Sequence, residues 1–165
     1  MKIKQLSIFL QNRMGSLSKP LEVLTVADVN IRAMCMADTS EFGILRLVVD
    51  DPEKGKEALE QNNFLVKITE IIGVEMNDTP GGLTSVLNII KENNIDLEYL
   101  YAFTHEKEGK AILLLHADDI DELIDVLEKN NMAITICGFY RNSVISNTNI
   151  TNIYSTFFFK YSFCR

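Results

Sequence analysis

A short stretch of this chain is written twice. Glu57-Ala58-Leu59-Glu60-Gln61-Asn62-Asn63 returns as Asp125-Val126-Leu127-Glu128-Lys129-Asn130-Asn131, Asn30-Ile31 as Asn94-Ile95, and Gly15 as Gly81. Two helix ends and one turn agree in type and order, which sets an internal repeat of about 66 residues. A duplicated unit must fold the same way both times, so whatever one copy builds, the chain builds twice.

Hydrophobic patterning gives the content of each copy. Leu6, Ile8 and Leu10 alternate with Ser7, and Phe9 is apolar as well, so the first strand is partly buried on both faces. A helix is predicted over 16–28, with Leu17, Leu21, Leu24 and Asp28 on successive turns. Pro20 falls in its first turn, where a missing N–H costs nothing, and Val29-Asn30 closes it. Strands over 31–36 and 43–49 flank a polar turn at 38–41. Asp50-Asp51-Pro52 opens a surface helix that Asn62-Asn63 ends, and 64–69 is a further strand. The second copy reads as strand 71–76, helix 83–93, strand 95–103, turn 106–109, strand 111–115, helix from Asp118-Asp119 to Asn130-Asn131, and strand 132–136.

Two β-α-β-β-α-β units predict an α+β, ferredoxin-like architecture: antiparallel four-stranded sheets with helices on one face. The expected division is 1–70, 71–140 and an irregular, aromatic-rich extension over 141–165. In that extension an Asn/Ser/Thr-rich stretch leads to Phe157-Phe158-Phe159. An extra strand or an oligomer contact is the alternative there, and left exposed the run would promote aggregation. Helix-free faces and edge strands need cover, and pairing the two sheets side by side would provide it, with each unit's first helix near its partner.

Composition narrows the function. A formal net charge of -7 argues against sequence-independent nucleic-acid binding and against an anionic membrane surface. Cys35, Cys137 and Cys164 are odd in number and far apart, so they form neither a disulfide framework nor a zinc spacing. The start of the chain lacks the pattern of a signal peptide, and no apolar run is long enough to span a bilayer. A soluble cytoplasmic protein is expected.

The chemistry-bearing feature is the strand-to-helix junction. Gln11-Asn12-Arg13-Met14-Gly15-Ser16-Leu17 and Asn77-Asp78-Thr79-Pro80-Gly81-Gly82-Leu83 each leave an apolar strand, turn at glycine and enter a helix. Unpaired backbone N–H groups and the positive end of the helix dipole then converge, and an amino-acid carboxylate suits them. Arg46, in an otherwise apolar strand, and Asp38 form either a surface ion pair or a carboxylate and ammonium contact for such a ligand. Tyr99 and Tyr101 are expected to pack on a sheet face. His105 and His116 have no neighbours spaced as a catalytic set, Asp118-Asp119-Ile120-Asp121-Glu122 reads as a helix start, and Gly81-Gly82 lacks the Lys-Ser or Lys-Thr of a phosphate loop. No catalytic residue, metal or cofactor is expected.

These residues carry a family resemblance. Asn30-Ile31-Arg32-Ala33, the run Ala37-Asp38-Thr39-Ser40-Glu41-Phe42-Gly43-Ile44-Leu45-Arg46-Leu47-Val48-Val49-Asp50-Asp51-Pro52, and Asp78-Thr79-Pro80-Gly81-Gly82-Leu83 resemble small stand-alone proteins made of tandem ACT domains, over residues 2–140. The resemblance implies amino-acid binding where two domains meet. Asn12, Met14, Gly15, Ser16 and Leu17 supply one turn, and Asp78, Pro80, Gly81, Gly82 and Leu83 the other. Asn30, Ile31, Asn94 and Ile95 match the Asn-Ile that opens a neighbouring strand. The first turn departs from the family's Pro-Gly by reading Met14-Gly15, which keeps the glycine and loses the stiffness of proline.

The leading expectation is a non-enzymatic, homodimeric regulatory protein that senses a free amino acid at the seam between domains. Its downstream partner would be an enzyme of amino-acid metabolism. The rival is a structural subunit that assembles with such an enzyme and binds nothing small.

Overall fold

The computed structural model describes residues 2–38, 41–104 and 109–135, with the backbone alone at Asp38 and Thr104. The tail over 141–165, Cys137, Cys164 and His105 lie outside the described residues. The elements run β1 (Ile3–Gln11), α1 (Ser18–Val26), β2 (Ile31–Asp38), β3 (Phe42–Val49), α2 (Pro52–Gln61), β4 (Leu65–Asn77), α3 (Gly82–Glu92), β5 (Leu97–Thr104), β6 (Lys110–Ala117), α4 (Ile120–Lys129) and β7 (Ile134–Thr135). This is the expected β-α-β-β-α-β order, twice.

One difference organises the molecule. The strands expected separately over 64–69 and 71–76 are a single strand, β4, and the expected boundary after residue 70 falls inside it. Its first part pairs with β1, from Phe9↔Leu65 to Ile3↔Ile71. Its second part pairs with β6, from Ile72↔Leu115 to Asn77↔Lys110, and with β7 at Gly73 and Val74. The strand order β2-β3-β1-β4-β6-β5 is therefore continuous through β4. Gly73 sits at the changeover, where an added Cβ would lie 2.7 Å from the Thr135 carbonyl oxygen, so only glycine lets β7 approach.

Each half buries its own helix-side core. Leu6, Ile8, Leu45, Leu47 and Val66 meet Leu24 of α1 and Leu59 of α2. Ile72, Val74, Leu113 and Leu115 meet Val86 and Ile90 of α3 and Leu123 and Leu127 of α4. A third cluster belongs to both halves: Ile3, Ala33, Val48 and Ile71 from the first, Ile112 and Leu114 from the second, flanked by Tyr99, Tyr101 and Phe103. The helix-free faces are thus packed on each other. This corrects the expected side-by-side arrangement: β4 keeps its even-numbered residues on the helix side of both sheets, and the bare faces on its other side share one buried apolar cluster.

The four helices end alike. Asp28, Asn63, Asn94 and Asn131 have positive φ, between 51° and 63°. The next N–H in each case reaches back five residues: Val29 to the Leu24 carbonyl, Phe64 to Leu59, Ile95 to Ile90 and Met132 to Leu127. That is the Schellman ending, in which Asn tolerates the left-handed position better than most residues do. It also corrects the repeat register. Asn94 is the left-handed residue after α3, whose counterpart after α1 is Asp28, while Asn30 lies two residues further on, at the mouth of β2. The two Asn-Ile pairs look alike in sequence and occupy different positions. The helix bounds shift accordingly: α1 is shorter than 16–28 at both ends, because the turn at Gly15 delays it and Asp28 stops it.

We expect Asn63→Val, at an exposed site, to lower stability by about 1–2 kcal/mol through left-handed strain alone, and Asn63→Gly to leave it nearly unchanged, as read by urea denaturation.

Candidate functional site

The two junctions fold into the same turn. Ser16 N–H donates to the Arg13 carbonyl (3.1 Å) and Gly82 N–H to the Thr79 carbonyl (2.9 Å). The third residue is left-handed in both, Gly15 at φ 78° and Gly81 at φ 91°. A four-residue bend with positive φ at its third position is a type II turn, which favours Pro second and Gly third. Pro80-Gly81 meets both preferences and Met14-Gly15 one.

Each bend is also tied to its unit's hairpin. Asn12 N–H donates to the Glu41 carbonyl and Asp78 N–H to the Gly109 carbonyl, both at 2.9 Å. Space over both glycines is open, since a Cβ added at Gly15 or Gly81 would meet nothing within 4 Å. The bends are therefore not plugged by neighbouring side chains, and Met14, Leu17 and Leu83 project outward as exposed apolar groups.

The bends differ in how their helices start. Gly81 is itself the cap of α3, and Gly82 begins it. A side chain at Gly82 is impossible without movement, since its Cβ would lie 2.1 Å from the Asn77 carbonyl oxygen. Its counterpart Ser16 carries a side chain, and α1 starts only at Ser18, after the helical Leu17. Ser18 Oγ donates to the Gly15 carbonyl at 3.0 Å, as Ser85 Oγ does to the Gly81 carbonyl at 3.1 Å. Neither cap residue uses a side chain on the first N–H groups. The dipole end of each helix faces the bend with backbone donors only.

The remaining predicted residues are distributed over the molecule. Asn30 and Ile31 open β2 at the Val49 end of the first sheet, whereas the bend after Gln11 lies at the Phe42 end. Asn30 N–H donates to the Asp50 carboxylate at 2.9 Å, and the Asp50 N–H returns a bond to the Asn30 carbonyl. In the second unit Asn94 and Ile95 lie beyond the Ala117 end of β6, away from the bend after Asn77. They line an open depression of about 500 Å³ with Leu87, Ile90, Lys91, Asp96 and Leu97. A second depression, about 550 Å³, runs between α1 and α2 past Val23, Val26 and Phe64. Within one chain, then, bend and strand-opening residues are not brought together. The backbone of Asp38 pairs with Gly43, at the bend's end of the sheet.

Arg46 is not on the surface. It lies in the layer between the sheets with its guanidinium carbon 3.9 Å from the centre of the Tyr99 ring, and its buried Nε has no hydrogen-bond partner. Around it runs a polar network that the alternation of β1 disguised as a solvent face. Gln5 and Ser7 are buried. Gln5 Nε2 donates to Tyr99 Oη at 2.9 Å and to Ser7 Oγ at 3.2 Å, and Tyr101 Oη donates to Gln5 Oε1 at 2.9 Å. The aromatic alternation of β5 was the only signal of it. Burial pushes the Tyr101 phenol far above its ordinary range, and burial raises Tyr99 too, with the Gln5 hydrogen bond and Arg46 opposing. Half-buried Cys35 has its thiol raised by burial, with the Arg46 charge opposing. At the junction of the halves, His116 Nδ1 lies 2.8 Å from the Glu70 carbonyl oxygen, and Lys2 bridges Glu70 and Asp121 at 3.1 Å each.

Among the described residues no cluster of His, Cys, Asp and Glu could hold a metal, and no helix is long and apolar enough to cross a membrane. Asp119 caps α4 by accepting from the Glu122 N–H, as expected for that acidic run.

Comparison with known proteins agrees with this architecture. The model of the ACT domain pair family matches residues 1–136. Protein BT0572 from Bacteroides thetaiotaomicron has a similar structure at 36% identity and TM-score 0.76, covering 82% of this chain and 92% of that one. The regulatory subunits of aspartate kinase from Thermus flavus (13% identity, TM-score 0.55) and Thermus thermophilus (10%, 0.52) share the fold, each covering 76% of this chain and 90% of theirs. No curated protein sequence matches. The chain belongs to the ACT domain pair family.

Two outcomes follow from the geometry. Gly81→Ala, strained but unobstructed, should cost about 1–2 kcal/mol, whereas Gly82→Ala, driven into a backbone carbonyl, should cost ~3 kcal/mol or more in the same urea titration. A phenol held protonated by the fold lends its full stability below the unfolded value of about 10 and loses it as pH rises beyond. Alkaline unfolding should therefore set in above about pH 10, and Tyr101→Phe should shift it upward, at a cost near neutrality of about 1 kcal/mol for the lost Gln5 bond, as followed by circular dichroism.

Proposed function

We propose that this ACT domain pair is a non-catalytic sensor of a free amino acid, with one binding module in 1–70 and one in 71–140. The observation that carries the reading is the repeated bend: a left-handed glycine, with open space over it, and a tethering bond to the hairpin, built in two places by sequences that share little else. The ligand carboxylate lies on backbone N–H groups beyond Gly15 or Gly81, near Ser16 and Leu17 or Gly82 and Leu83, and its ammonium meets carbonyls of the bend or a carboxylate such as Asp78. Asn12, Met14 and Pro80 shape the turns.

Asn30, Ile31, Asn94 and Ile95 lie at the far ends of their own sheets, so in this proposal they complete a bend from a neighbouring domain. That requires a second copy and makes the working form a homodimer. Arg46 faces the seam between the sheets and takes no part. Binding where domains meet favours one packing over another, which turns occupancy into a signal for an enzyme of amino-acid metabolism in the cytoplasm.

Thermal shift and titration calorimetry across the twenty amino acids test this. One or a few should raise the melting temperature with micromolar to millimolar affinity, and Gly15→Val together with Gly81→Val should abolish the shift. No response to any amino acid would sink the sensor and leave a structural subunit of an enzyme complex. A response indifferent to both glycines would put the site elsewhere.

A further inference from the structure

The helix-free face of the first sheet is covered over only part of its length. β1 points Ile3, Gln5, Ser7 and Phe9 to this face, β3 points Ile44, Arg46 and Val48, and β4 points Leu65, Lys67, Thr69 and Ile71; their opposite neighbours Leu6, Ile8, Leu45, Leu47 and Val66 fill the helix-side core. The second sheet covers Ile3, Val48 and Ile71 fully, and Gln5 and Ser7 with them. Cover stops at the next row, where Phe9 is 45% and Leu65 68% exposed. Phe9 stands opposite Leu65 on one side and opposite Ile44 on the other, so an apolar row three strands wide continues a layer that is buried elsewhere. Single exposed apolar groups are ordinary, but a contiguous row bordering a buried layer marks a contact surface.

We propose that this row, Ile44-Phe9-Leu65, is the contact between two copies of the chain related by a two-fold axis. The second sheet decides the partner. Where the first unit has Phe9 the second has Glu75, ion-paired with Lys110 at 3.4 Å. Setting the apolar row of one copy on the second sheet of another would desolvate that pair without compensation. The same row of a second copy offers apolar surface to apolar surface, and a patch that matches itself generates a closed two-fold dimer. This contact is separate from the neighbouring-domain contact invoked for ligand binding, and neither depends on the other.

Sedimentation velocity of the full chain over a range of concentrations tests the proposal. The wild type should self-associate, and Leu65→Glu should weaken that step at least tenfold while the circular-dichroism melt stays in place, because Leu65 is exposed. Val26→Glu, on the exposed flank of α1, should leave it unchanged. With benzoylphenylalanine incorporated in place of Leu65, irradiation should cross-link two chains, with the link mapped by mass spectrometry to the strand carrying Phe9 or Ile44. A monomer at every concentration, self-association unchanged by Leu65→Glu or lost with Val26→Glu, or a cross-link from position 65 into residues 136–165 of the same chain would each overturn it. A variant or cross-link result against this row leaves the sensor reading to the amino-acid titrations, whereas a monomer at every concentration would count against the second copy that both require.

Discussion

The layer between the two sheets sets everything else in this molecule. Gln5, wholly enclosed, is held by Tyr99 and Tyr101 from the other half, with the Arg46 guanidinium carbon over the Tyr99 ring. Burying Gln5 without its partners would be costly, so its hydrogen bonds allow few alternative registers of one sheet on the other. The apolar groups around it, Ile3, Val48, Ile71, Ile112 and Leu114, supply the driving force, and the hydrogen bonds supply the register. β4 makes the arrangement unavoidable: a strand that belongs to both sheets cannot let them drift apart.

That layer also decides where function can sit. With the bare faces used on each other, the two bends are carried to opposite ends of β4, one beside Leu65 and one after Asn77. Each stays open to solvent, rigidly tied to a hairpin, and far from the other. The asymmetry of their helix starts, Gly82 packed on the Asn77 carbonyl and Ser16 free of such a contact, gives the two modules different stiffness. Under the sensor proposal two similar sites of unequal rigidity respond to one ligand with unequal affinity, and the shared strand is the physical route between them.

Much of this was legible in the chain. The period-two alternation of Tyr99, Tyr101 and Phe103, the Asp-Pro helix start at Asp51-Pro52 and the repeated Asn-Asn ends agree with the elements, whereas the bulge between Leu97 and Tyr99 puts Ile95 and Leu97 on the helix side and the three aromatics between the sheets. What misled was ambiguity that only packing resolves. Gln5 and Ser7 alternate with Leu6 and Ile8, and in sequence a polar residue buried with partners has the same pattern as one in water. Thr69-Glu70 looks like a break between strands, yet its backbone continues the ladder to β1. Asn30-Ile31 and Asn94-Ile95 are alike as letters and differ in backbone conformation, and the cation–π partner of Arg46, coming from the other half, leaves no trace nearby in sequence.

The central functional claim concerns a few backbone amides, and their resonances test it most directly. In a ¹⁵N–¹H titration of the full chain with the amino acid that stabilises it most, the amides of Ser16, Leu17 and Ser18 and those of Gly82, Leu83 and Thr84 should move first and furthest, saturating with the binding curve. If those six stay still while amides around Tyr99 and Tyr101, or along the groove between α1 and α2, shift instead, the bends are turns and nothing more.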